Sequence, residues 1–157
     1  MERIRTWIAL GAALAGTLAI ASGAAAAAED GLQKTVGGYS IYVGVVSAGI
    51  MAFRQDHGEL RMHGGVPAGL DQHHLLVSLF DAASGERVAD AEVSARVSAP
   101  KRQTEEKPLL HVPLGSEIAY GNFFRMRQGE RYRIELTIRR AGSAESIGAE
   151  FDYRHRF

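Results

Sequence analysis

Apolar and polar positions alternate in short runs from Tyr39 to Phe157, and glycine, proline or charged clusters interrupt every run. After Gly37-Gly38, YSIYVGVVSA sets Tyr39, Ile41, Val43 and Val45 on one face of a strand, because side chains two residues apart share a face. HHLLVSLF repeats the pattern, with Leu75, Val77 and Leu79 on one face and Leu76 and Phe80 on the other. A turn over DAASGE, residues 81–86, leads to RVADAEVSARVS, which carries the alternation through Val88, Ala91, Val93, Ala95 and Val97. LLHVPL, EIAYGNFFRM, RYRIELTIRR and SIGAEFDYRHRF supply further strands, with turns at Gly115, Gln128-Gly129 and Ala141-Gly142-Ser143. MAFRQDHGELRMH reads as a bent strand or hairpin turning at Asp56-His57-Gly58. HGGVPAGLDQ reads as a loop, since glycine permits positive φ and Pro67 has no N–H for a ladder. Residues 99–108, APKRQTEEKP, are charged and poor in apolar groups and read as an exposed loop.

Seven or eight short strands with no sustained helical period predict an all-β fold, an antiparallel immunoglobulin-like β-sandwich. The first residues have a different pattern. Arg3 and Arg5 precede an apolar stretch from Trp7 to about Ala21, and small residues end in Ala26-Ala27-Ala28 before Glu29. That layout predicts a signal peptide over residues 1–28, cut after Ala28, and one sandwich domain over 29–157. An uncleaved anchor is the alternative, but an alanine-rich run ending in small residues favours cleavage. No later segment is long and apolar enough to span a bilayer, so a periplasmic or secreted location is expected.

Charge narrows the functional classes. The chain carries 18 basic and 18 acidic side chains, so it has no field to gather nucleic acid. Late arginines at 125, 127, 131, 133, 139 and 140 are interrupted by Glu130 and Glu135, at spacings suited to solvent-facing strand positions. Cysteine is absent. An exported chain without disulfides must be stabilised by its core, and a metal site in it must use His, Met, carboxylate or backbone ligands.

Four of the six histidines, His57, His63, His73 and His74, fall within residues 57–74. Met51 and Met62 accompany them, and Met126 lies further along the chain. Imidazole with thioether suits copper as Cu(I) or Cu(II); iron or zinc would use the histidines with Asp56, Glu59 or Asp71. Neighbours on a strand point to opposite faces, so Met62 with His63, or His73 with His74, share a site only at a strand end. Gly64-Gly65 and Asp71-Gln72 suggest such ends at the mouth of one loop. The candidate ligands are therefore Met51, Met62, His63, His73, His74 and Met126, with His111 and His155 able to approach if their strands end at the same pole. A solvated polar loop is the alternative account of the same histidines.

Catalysis has little support. No serine sits in a G-x-S-x-G elbow, and Glu105-Glu106 lie in a stretch read as solvated, so a non-enzymatic protein is expected. In AYGNFFRM, Tyr120, Phe123, Phe124 and Met126 are core candidates, although an exposed phenylalanine would mark a docking edge.

LFDAASGERVADAEVSARV, with its D-x-x-x-G turn before a V-x-D-A-x-V strand, resembles small exported domains of the YtkA-like and CopC-like kind. YGNFFRMRQGERYRIELTIRR, with Y-G-N, a methionine and a G-x-x-Y-x-I strand, is similar to periplasmic partners of ferrous-iron uptake permeases. The resemblance implies a periplasmic Ig-like domain that handles copper or iron through His and Met. Met126 matches the methionine after Y-G-N, and the His63 region matches a histidine-bearing strand. MHGGVP departs from the iron-uptake pattern in having no adjacent carboxylate, and Glu29 stands where copper-resistance domains begin with histidine. Two functions follow as expectations. One is binding of a transition metal for delivery, storage or transport, with a membrane metal transporter as a partner. The other is a non-catalytic interaction module that binds an envelope protein.

Overall fold

The computed structural model describes residues 31–53, 65 and 67–156, side chains excepted at 51–53. Residues 1–28, expected to be a signal peptide, and the stretch holding His57, Met62 and His63 lie outside the described residues. Eight strands follow in chain order: β1 (Gln33–Val36), β2 (Tyr39–Ser47), β3 (Gln72–Asp81), β4 (Ala91–Ser98), β5 (Glu105–Leu114), β6 (Glu117–Arg125), β7 (Arg131–Arg140) and β8 (Ile147–Arg154). One short helix, α1 (Ala48–Phe53), follows β2. The strand order is β1-β2-β3-β6-β5-β4-β7-β8, and every neighbouring pair is antiparallel. Lys34 Nζ donates to the Glu150 carbonyl, which brings β1 at one edge close to β8 at the other. The result is an all-β sandwich that nearly closes, consistent with the immunoglobulin-like type. Among the described residues no helix is long and apolar enough to cross a membrane.

The alternation read from the sequence places the core. Ile41 and Val43 of β2, Leu75, Val77 and Leu79 of β3, and Val93, Ala95 and Val97 of β4 are buried in one cluster with Ile134, Leu136 and Ile138 of β7 and Phe151 of β8. Each contributes through apolar surface removed from water, worth about 1.5–3 kcal/mol for a fully buried Val, Leu, Ile or Phe. Tyr120 of β6 is buried among them, and its hydroxyl donates to the Val88 carbonyl at 3.1 Å and accepts from Ala91 N at 3.0 Å. That phenol ties β6 to the segment entering β4. Burial raises its pKa, so it stays a neutral donor.

Turn chemistry matches the sequence at both kinds of turn. Gly37 and Gly38 have φ of 56° and 82°, the two positive values a type I′ hairpin needs between β1 and β2. In DAASGE, Asp81 Oδ1 accepts from Ala83 N, Ser84 N and Ser84 Oγ at 3.0, 2.8 and 3.1 Å, and these bonds hold its pKa below the usual carboxylate value.

Three local expectations are corrected. Residues 51–53 end α1 and do not form a strand; the eighth strand is β1, ahead of the glycines. The loop after β4 is shorter than 99–108, because β5 begins at Glu105. Pro108 falls where β5 changes partner, pairing with β4 up to Leu109 and with β6 from Leu110. A missing N–H costs little at such a switch. Glu105 is accordingly part of a strand, half-buried, with Lys107 Nζ at 2.8 Å and Arg125 N donating at 3.0 Å.

Candidate metal centre

Both histidines at the start of β3 are buried, His73 at 4% exposure and His74 at none. The β3 ladder already includes Gln72, which pairs with Arg125, so His73 and His74 sit inside the strand and point to opposite faces. They do not share a site at a strand end. His74 faces outward with Leu76, stacks on Phe123 at 4.6 Å, and lies over Gly121. A Cβ at Gly121 would come within 2.8 Å of His74 Nε2, so glycine is what leaves room for the imidazole.

His73 faces the interior with Leu75, Val77 and Leu79, at the pole of the sandwich where the core gives way to polar groups. Its ring meets that of His155 at a centroid separation of 4.1 Å and an interplanar angle of 69°. His155 follows β8 in the inward phase set by Ala149, Phe151 and Tyr153, and is 2% exposed. Two backbone bonds hold it to the β6–β7 turn: its N–H donates to the Glu130 carbonyl at 3.0 Å, and its carbonyl accepts from Gly129 N at 2.8 Å.

One nitrogen of each ring is engaged by a hydrogen bond. His73 Nδ1 lies 3.2 Å from the Asp71 carbonyl, which can only accept, so Nδ1 is the donor, an arrangement that leaves Nε2 as the nitrogen able to bind a metal. The same carbonyl accepts from Met126 N at 2.7 Å, which seats Met126 beside the start of β3. His155 Nδ1 shares a 2.9 Å bond with the Tyr153 hydroxyl. His155 Nε2 is buried and has no hydrogen-bond partner among the described residues. Burial, and secondarily the nearby His73, lowers the His155 pKa below its usual 6.5, so its neutral form, the form that can bind a metal, is favoured.

Met126 is fully buried, and with His155 it lines an open cleft of about 500 Å3 whose rim includes Leu70, Asp71 and Arg127. The structure thus brings together His73, Met126 and His155 at one pole and sends His74 elsewhere. His111 is exposed on β5, beside the Tyr120 ring at 5.2 Å. Met51 lies in α1, with its side chain outside the described residues, as are Met62 and His63 altogether. Phe123 and Phe124 are both buried, so neither forms an exposed docking edge. Among the described residues no group of three or more histidine or carboxylate side chains converges as a metal site.

No protein-family model matches the chain, and no curated protein does. Solved structures do. A DUF4426 family protein from Pseudomonas aeruginosa PAO1 superposes with a TM-score of 0.62 at 14% identity, covering 79% of this chain and 93% of that one. A copper-bound variant of FetP from uropathogenic Escherichia coli strain F11 gives 0.61 at 12% identity, over 78% and 93%. The copper-reconstituted P19 protein from Campylobacter jejuni gives 0.56 at 9% identity, over 78% and 92%. The likeness is one of fold, and at that level it agrees with the resemblance read from the sequence.

Proposed function

We propose that the protein binds copper in the bacterial periplasm, at the pole formed by His73, His155 and Met126, and carries it as cargo for delivery or storage. The observation that carries this reading is His155 Nε2, a buried ring nitrogen with no partner among the described residues, on an imidazole packed against a second one. An unmet polar atom at this depth is costly unless something binds there.

The donor set selects the metal. Two neutral imidazoles and a thioether suit Cu(I), which accepts few ligands and favours sulfur. Zinc and iron ask for three or more histidine or carboxylate donors, and among the described residues no such group converges. FetP and P19, with the same fold, are copper-bound. The surrounding bonds prepare the ligands. Asp71 sets the His73 tautomer and Tyr153 orients the His155 ring, as backbone and hydroxyl partners do around metal-bound histidines. The cleft beside Met126 gives an ion access from solvent.

The test is a titration of the metal-free protein with Cu(I) against a competing chromogenic chelator, comparing wild type with His155→Phe. Wild type should withhold one copper per chain and the variant none, with unchanged far-UV circular dichroism. Equal retention by both proteins would refute the assignment.

A further inference from the structure

The exposed face of the β4-β7-β8 sheet carries several arginines, and three of them have a carboxylate beside them. Arg96 lies 3.8 Å from Glu135, Arg133 lies 3.1 Å from Glu150, and Arg139 is paired with Glu92. At the end of the sheet nearest His155 this compensation stops. Arg131 stands directly opposite Arg154 in the β7–β8 register. Arg156 is two residues further on, and so extends the same face. Among the described residues none of these three guanidinium groups has a carboxylate within ion-pair distance, and like charges placed opposite each other across an antiparallel pair oppose folding.

These three side chains, with Arg133, line a cleft of about 730 Å3 in which Asp152 is the one acidic lining residue. That volume falls within the roughly 300–1,000 Å3 of small-molecule sites. Residues two apart on a strand are about 7 Å apart, and directly opposed residues about 5 Å, so the three cations can converge on one small molecule. Guanidinium groups bind carboxylate or phosphate through paired N–H bonds, which a scattered surface charge does not achieve. Glu135 and Glu150, opposite each other two ladder positions beyond Arg133 and Asp152, end the positive stripe, which disfavours a long polyanion.

We infer that this cleft binds a small polyanion with two or more carboxylate or phosphate groups, held by Arg131, Arg154 and Arg156. The ligand offsets the repulsion that the strand register builds in. The cleft borders the proposed copper pole, since Arg154 and Arg156 flank the inward-facing His155 and Tyr153 lines the cleft, but its arginines are not copper ligands and it is tested with metal-free protein.

The experiment is isothermal titration calorimetry of the full chain at low ionic strength, with citrate and pyrophosphate as the probes. At least one probe should bind once per chain, and which one does separates carboxylate from phosphate recognition. Affinity should fall at least tenfold in Arg131→Gln/Arg154→Gln and stay unchanged in Arg139→Gln, on the same face outside the cleft. In thermal scans the double variant should melt above wild type without anion, and only wild type should gain stability when the bound probe is added. Absence of binding by both probes, or equal binding by wild type and the double variant, would overturn the inference. So would an equal loss in Arg139→Gln.

Discussion

His73 and His74 are adjacent, both buried, and placed in two different kinds of environment. His74 occupies a close-packed slot, stacked on Phe123 and fitted over Gly121. His73 meets a second imidazole at a pole where a cleft begins, with Nδ1 already committed to a backbone carbonyl. One residue of strand register separates a packing histidine from a proposed ligand. Burial alone does not identify a metal site; the direction of the lone pair and the company of other donors do.

The comparison is broken most directly by substituting each histidine with leucine. His73→Leu should lower Cu(I) affinity on the order of 100-fold, and His74→Leu should leave it within about twofold, since only the first removes a proposed donor. Competition titration measures both. Gly121→Ala sharpens the other side. Its new methyl would press on His74 and on the Leu75 carbonyl, at 2.8 and 3.0 Å, and should destabilise the fold by about 1–3 kcal/mol in urea unfolding without weakening copper binding. Tyr153→Phe removes the hydroxyl that orients His155 and should weaken Cu(I) binding about tenfold, with little effect on the melting temperature.

The smallest expected effect is on pH dependence. The folded-state pKa of His155 lies below its usual 6.5, mainly because burial disfavours the imidazolium. As pH falls, the unfolded chain therefore takes up this proton first. The stability that neutral His155 contributes is whole above about pH 6.5 and is lost as pH drops through the folded value. Metal-free wild type should lose more stability between pH 7.5 and 5 than His155→Phe does, as read by urea midpoints. Parallel losses would show that His155 is not held neutral by the fold.

Much of this architecture is legible in the chain. Period-two alternation identifies the buried faces of β2, β3 and β4 because each packs one face on a common core, and DAASGE announces its turn through Asp81. The misreadings have local causes. AGIMAF is too short to display a helical period. Pro108 reads as a loop signal, although it sits where β5 changes partners. The site is only partly legible. His155 continues the inward phase of Ala149, Phe151 and Tyr153, so its direction could be read from the pattern. That it meets His73, more than 80 residues earlier, follows only from the strand order and the β3–β6 register.

The most direct test of the central claim is long-range 1H–15N NMR of the histidine ring nitrogens before and after one equivalent of Cu(I). The account predicts large shifts at Nε2 of His73 and of His155, with the His74 ring unmoved. A shift at His74, or none at His73 and His155, would contradict it.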